Sequence, residues 1–228
     1  MMPPEPEKYA IITAGGKGER TGLPVPKQFM ELHGLPLLMY SMQAFLAYSP
    51  KVKLIVVLPA GMGKNWEELC HKYRFEHGHT VCTGGNTRFH SVRNGLAHVR
   101  AGSLVAIHDA ARPLVSTALI SRCFSMAAQK GSAVPVISPA DSVREVTGEM
   151  NRRIDRSRLM LVQTPQAFET NLIKAAYERQ WDPSFTDDAC VLEAGGGRIW
   201  LIEGETQNIK ITTKNDLVIA GALMHAIR

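Results

Sequence analysis

YAIITAGGKGERTGLPVPKQF, residues 9–29, is the stretch that decides the architecture. Its first five residues are a short β-branched and aliphatic run, suited to a strand covered on both faces. Gly15, Gly16 and Gly18 follow almost at once. Glycine removes the side chain where backbone must approach a phosphate chain, and the exposed amides can then donate to it. The Walker pattern GxxxxGK[ST] is absent. The dinucleotide fingerprint GxGxxG fails as well: counted from Gly16, its third glycine position is Thr21, and Pro24 and Pro26 oppose the immediate helix that it requires. What the loop carries instead is positive charge. Lys17, Arg20 and Lys27 are spaced so that a curved loop aims cations at a triphosphate.

Outward from this loop, short apolar runs at residues 52–58, 81–83, 104–108 and 133–137 alternate with amphipathic stretches. Leu38, Met42, Phe45 and Leu46 recur at helical spacing, as do Trp66, Leu69, Cys70 and Tyr73. Further helices are expected over residues 88–99, 117–129, 171–179 and 215–226. Strand and helix alternating in this order build a mostly parallel, Rossmann-like sheet in a three-layer α/β/α sandwich. One stretch breaks the alternation. SVREVTGEM, residues 142–150, reads as a strand pair turning at Thr147 and Gly148, followed by the basic run RRIDRSR, residues 152–158. We expect a single domain over residues 1–228 with a protruding β-arm inserted at about 139–162. A lone hairpin is marginal in water, so it is expected to pack on the same arm of a second subunit, making a homodimer.

Composition narrows the function. A chain of 228 residues with 45% hydrophobic content can bury one sizeable core. The net charge of +5 includes no block of five or six like charges, which favours small anionic ligands over a nucleic-acid tract. Cys70, Cys82, Cys123 and Cys190 form no CxxC pair and read as reduced thiols; His77 and His79 lack the partners a metal site needs. No run is long enough for a membrane span, and the proline-rich start lacks a signal-peptide pattern, so a cytoplasmic protein is expected.

Further motifs follow the glycine loop: GGNTRFHSV (84–92), HDAARP (108–113), DRSRL (155–159), QTPQAF (163–168), FTDDACVLE (185–193) and NIKIT (208–212). With AGGKGER and PKQ, they resemble the sugar-phosphate nucleotidyltransferases and, among these, the 2-C-methyl-D-erythritol 4-phosphate cytidylyltransferases, over nearly the whole chain. The ribitol 5-phosphate cytidylyltransferases share AGGKG, PKQF, HDA and NIKIT; HDAARP, the SV after the glycine turn and DRSRL before QTPQ favour methylerythritol. A non-catalytic nucleotide-binding module is the alternative of another class, opposed by the joint presence of Arg20, Lys27, Asp109, Arg156 and Lys210.

The resemblance implies transfer of cytidine monophosphate from CTP to a sugar-alcohol phosphate with Mg²⁺ as cofactor. It implies that Arg20 and Lys27 stabilise the transition state, and that Arg156, Lys210, Arg112, Ser142 and Thr164 position the sugar phosphate. Ala14, Gly15, Gly16, Gly18, Gly84, Gly85, Asn86, Arg88 and Ser91 fall to the nucleotide. Asp109 ends a strand, where ligands of open α/β sheets collect, and one carboxylate beside a triphosphate suits Mg²⁺. Lys210, between Ile209 and Ile211, is expected on a strand, turned away from its buried neighbours. Arg156 belongs to the arm and is open to acting in the partner's site. Four positions depart from the family pattern: Asn86 for an acidic residue, Thr13 and Gly15 for the Pro and Ala of a PAAG opening, and Ser142 for threonine.

Overall fold

The computed structural model describes residues 5–15 and 27–227. In chain order its elements are β1 (Lys8–Thr13), β2 (Glu31–Leu32), β3 (Leu35–Pro36), α1 (Leu37–Tyr48), β4 (Lys53–Leu58), α2 (Gly63–Lys72), β5 (Thr80–Thr83) and α3 (Arg88–Leu96). There follow β6 (Leu104–Asp109), α4 (Thr117–Lys130), β7 (Ser132–Ile137), β8 (Val143–Thr147), β9 (Met150–Ile154), β10 (Leu161–Val162) and β11 (Gln166–Glu169). The chain closes with α5 (Thr170–Tyr177), α6 (Asp188–Ala194), β12 (Leu201–Glu203) and α7 (Lys214–Ile227).

Among the described residues the main sheet has eight strands, ordered β10-β7-β11-β6-β1-β4-β5 with β12 on the outer side of β7. The pairs β1 with β4, β1 with β6, β4 with β5 and β12 with β7 are parallel. Strands β10 and β11 run against this direction along β7, and β11 also pairs with β6. Between them the Thr164–Pro165 peptide is cis.

Period-two alternation sorts the sheet's side chains into two cores. Ala10, Ile12, Leu54, Val56, Leu104 and Ala106 face one side, where Leu38, Met42 and Phe45 of α1, Trp66 of α2 and Leu119, Cys123 and Phe124 of α4 cover them. Tyr9, Ile11, Ile55, Val57, Val105 and Ile107 face the other, beneath Phe89, Val92 and Leu96 of α3, Ile173 of α5 and Leu192 of α6. This is the three-layer α/β/α arrangement, and strands clothed on both faces explain why their sequences are apolar runs. Helix α7 packs separately: Ala220 and Met224 meet Leu32, Leu37, Leu114 and Ile211.

Helix ends follow local chemistry. Thr87 accepts the His90 amide before α3, Ser116 that of Leu119 before α4, and Asp187 that of Cys190 before α6. Gly131 closes α4 at φ 89°, a left-handed turn that an L side chain resists. The hairpin β8–β9 pairs Val143 with Ile154 through Thr147 with Met150, and Gly148 turns it at φ 61°. Val146 and Met150 on it are 68% and 78% exposed. Among the described residues no helix is long and apolar enough to cross a membrane, and all four cysteines are free thiols.

Candidate active site

Strands β1 and β6 end side by side, with Thr13 opposite Asp109. The Thr13 hydroxyl faces the His108 carbonyl at 3.2 Å and Asp109 Oδ1 at 3.3 Å. The Ala14 amide donates to the Val57 carbonyl, and that of Gly84 to Leu58, so the ends of β1, β4, β5 and β6 meet at one edge. That is where the alternating topology leaves a ligand crevice.

Asp109 is almost buried, and three cations face it. Lys210 Nζ lies 2.6 Å from Oδ2 and Arg88 Nε 3.6 Å from Oδ1. Burial opposes its ionisation, yet the Arg88 and Lys210 charges, with Arg112 adding to them, hold the carboxyl well below the usual carboxylate range. Arg88 is itself gripped elsewhere. Its Nη1 and Nη2 donate to Asp188 Oδ1 and Oδ2 at 2.8 and 2.6 Å, and Tyr177 donates its hydroxyl to the same carboxylate at 2.6 Å.

His108 and Thr164 build the floor. The Asp109 amide donates to Thr164 Oγ1 at 3.1 Å, and Thr164 Oγ1 stands 3.1 Å from His108 Nδ1. His108 Nε2 lies 3.0 Å from the Arg112 carbonyl, which can only accept. Nε2 therefore carries the ring proton, and Nδ1 accepts from Thr164. Burial pushes this imidazole down to about 4, so it is neutral at pH 7 with both nitrogens engaged. It is a scaffold, unavailable for proton transfer.

Arg112 Nη1 donates to the Asn208 carbonyl at 2.7 Å, Asn208 Nδ2 to the Thr164 carbonyl at 2.8 Å, and the Ile211 amide to Ala111. These bonds bring the NIKIT segment to β6. Lys210 does not sit on a strand: among the described residues, 205–213 pair with no strand as a ladder, because their backbone bonds go to the loop after β6, to turns and to the side chains of Gln163, Arg112 and Asp216. The alternation survives without the strand, since Ile211 is buried and Lys210 points at Asp109.

The glycine turn between β5 and α3 is tight. A Cβ on Gly84 would come within 2.8 Å of Ser91 Oγ, and one on Gly85 within 2.4 Å of His90 Cβ. Ser91 accepts the Gly85 amide at 3.1 Å and donates to the Thr87 carbonyl at 2.9 Å, so its hydroxyl props the turn from beneath. Gly15 stands over the same hydroxyl. Asn86 is exposed at the tip.

The structure thus gathers Ala14, Gly15, Gly84, Gly85, Arg88, Ser91, Asp109, Arg112, Thr164 and Lys210 at one sheet edge. Ser142 and Arg156 are exposed beside the hairpin β8–β9, where Arg156 donates to the Ala140 carbonyl; among the described residues no hydrogen bond or ion pair joins either to this cluster. Gly16, Lys17, Gly18 and Arg20 lie outside the described residues, as does the side chain of Lys27, whose backbone opens the short 3-10 helix Lys27–Phe29. Sequence reading assigned no role to Asp188, Tyr177 or Asn208; the doubled aspartate of FTDDACVLE was the available signal for the first.

The family model for 2-C-methyl-D-erythritol 4-phosphate cytidylyltransferase (IspD) matches residues 9–226. The chain belongs to that family. It is 46% identical over 217 residues to the 2-C-methyl-D-erythritol 4-phosphate cytidylyltransferase of Bacteroides fragilis, covering 95% of this chain and 99% of that protein. The crystal structure of the Thermus thermophilus enzyme of the same name superposes with a TM-score of 0.77 at 33% identity, covering 97% and 99% of the two chains. The 4-diphosphocytidyl-2C-methyl-D-erythritol synthase of Anaerococcus prevotii gives 0.81 at 25% identity, covering 96% of each.

As a cytidylyltransferase of this family, the chain has a donor set that suits one kind of metal. Among the described residues no group of three or more His, Cys, Asp or Glu side chains could hold an ion alone. The single Asp109 carboxylate fits a hard cation that brings most of its ligands as phosphate oxygens and water.

Proposed function

We propose that this chain transfers the cytidine monophosphate unit of CTP to 2-C-methyl-D-erythritol 4-phosphate, forming 4-diphosphocytidyl-2-C-methyl-D-erythritol and releasing pyrophosphate. The observation that carries the proposal is the set of fixed cations, Lys210, Arg88 and Arg112, around Asp109 at the strand end of a cytidylyltransferase fold. A phosphate oxygen of the acceptor attacks the α-phosphorus of CTP, one P–O bond forms, and the bond to the bridging oxygen of the departing pyrophosphate breaks. A phosphate monoester has its second pKa at about 6 and is mostly dianion at pH 7, so no enzyme base is needed. The neutral, fully bonded His108 agrees with this. The obstacle is repulsion between two anions, and cations already fixed in place lower it without reorganising during the reaction.

In this reading the turn from Gly84 to Ser91, with Ala14 and Gly15, receives the nucleotide through backbone amides. Lys210 and Arg112 face the acceptor phosphate, while Thr164, its hydroxyl hydrogen given to His108, holds Asp109 from beneath. Asp109 would hold Mg²⁺, which when bound neutralises triphosphate charge. Arg20 and Lys27 stabilise the leaving group, and the exposed Ser142 and Arg156 serve the acceptor from the arm of a second subunit. The apolar exposure of Val146 and Met150 supports a homodimer through that arm. Four free thiols agree with a cytoplasmic setting.

Pyrophosphate release with CTP and methylerythritol phosphate is the test, with ribitol 5-phosphate as the competing acceptor. Preferred turnover of ribitol phosphate would replace the acceptor, and CTP binding without release from any acceptor would leave a nucleotide-binding module. Lys27→Ala is expected to lower kcat by a factor on the order of 10³. A change confined to KM would assign this lysine to uniform binding instead.

A further inference from the structure

Asp188 is fully buried at the start of α6, and no step of the transfer uses it. Three elements meet at its carboxylate: Arg88 from α3, Tyr177 from α5 and its own helix. Arg88 could have turned its two-nitrogen fork on Asp109, yet both Nη atoms go to Asp188 and only Nε, at 3.6 Å, faces Asp109. A fork on a carboxylate fills the oxygens that a metal would take. Arg88 is also the first residue of α3, directly after the turn that carries Gly84 and Gly85.

We propose that Asp188 is a positioning residue for the nucleotide transfer: by holding the Arg88 fork it keeps a second, bidentate cation off the Asp109 carboxylate, so that a phosphate-bound cation has only the Lys210 pair to displace there, and it pins the nucleotide-facing turn to α6. The inference rests on the nucleotide and metal roles given above, though not on the identity of the acceptor. Buried ion pairs add little stability over well-packed apolar side chains, so fold maintenance alone gives no reason for a charged pair here.

The test uses Mn²⁺ as a paramagnetic stand-in and CTP, with no acceptor, so that it stands apart from the turnover assay. Mn²⁺ binding to the protein–CTP complex is titrated by electron paramagnetic resonance in wild type, Asp188→Asn and the double variant Asp188→Asn/Arg88→Gln. The amide keeps the shape and, through its oxygen at the Oδ1 position, the Tyr177 contact, but its lost charge and an NH2 group facing Nη2 loosen the fork, and the carboxylate Arg88 then still faces is Asp109. Mn²⁺ affinity is expected to fall about tenfold in the single variant, in line with one charge-assisted hydrogen-bond partner, and to return to within about threefold of wild type once the arginine charge is removed. A merely structural role would lower the melting temperature of both variants without that recovery. Wild-type Mn²⁺ affinity in Asp188→Asn, or equal weakening in both variants, overturns the proposal. Should the single variant not fold, the double variant decides: CTP binding weakened severalfold with Mn²⁺ affinity retained supports the pin, and unchanged CTP binding or lost Mn²⁺ affinity refutes it.

Discussion

Lys210 and Asp109 neutralise each other at 2.6 Å, and beneath them His108 spends both ring nitrogens on holding Thr164 and Arg112 in place. The histidine has a measurable consequence. Its ordinary value of 6.5 is pushed down to about 4 by burial, so between these limits the unfolded chain binds the proton and the folded one does not. Stability is therefore expected to fall as pH drops from 6.5 toward 4, by a total on the order of 3 kcal/mol. Urea midpoints at pH 7 and pH 5 measure this, and the difference is expected to shrink in His108→Gln; an equal difference in the variant would remove His108 as its source. Asp109 adds in the same direction at lower pH, since its folded value is depressed and its contribution fades below the ordinary 3.8. Asp109, Arg112, Thr164 and Lys210 were legible as candidates for this cluster because each lies in a short motif. Asp188 was not, since which of two adjacent aspartates caps α6 and which turns inward to Arg88 is settled only by the helix's orientation.

Helix α3 links the tight glycine turn at Gly84 and Gly85 to the core. Gly95 lets it lie directly on β1 and β4: a Cβ there would stand 2.9 Å from Ile11 Cγ2 and 3.2 Å from Val57 Cγ2. Gly95→Val is expected to cost about 1–3 kcal/mol through overpacking. Because lifting the helix also displaces Thr87 and Arg88, it is expected to weaken CTP binding; calorimetry and a urea titration on the same variant measure both effects. Unchanged CTP binding in a destabilised variant would separate the turn from the helix packing. Strands β1, β4, β6 and β7 and helix α4 were readable from periodicity to within a residue or two. Strand β11 was not: QAFE is four residues with polar ends, and its strand state comes from ladders to β6 and β7, distant in sequence. The NIKIT segment erred the other way, alternating like a strand without a sheet partner to make it one.

At the scale of the molecule, two apolar cores sandwich the sheet while the hairpin β8–β9 and the segment after it leave large hydrophobic side chains in solvent. Val146, Met150, Met160, Leu161 and Val162 are each more than 40% exposed, along the hairpin and at its base. Patches of this kind mark interaction surfaces. Light scattering is expected to give twice the chain mass for the wild type and a single-chain mass for Val146→Glu/Met150→Glu. If the arm also completes the partner's site, that variant loses turnover while still binding CTP. A wild-type mass of one chain at micromolar concentration would end the dimer reading.

By itself the sequence determined the layered α/β plan, because short apolar runs alternating with amphipathic helices admit few other burials of that surface. It also determined the residue types at the strand ends. Tertiary structure decided which charges meet. Arg88, Asp109, Asp188 and Lys210 come from four separate segments, and their pairing depends on helix placement to within an ångström or two, because ion-pair strength falls with distance and burial in ways that no linear pattern encodes.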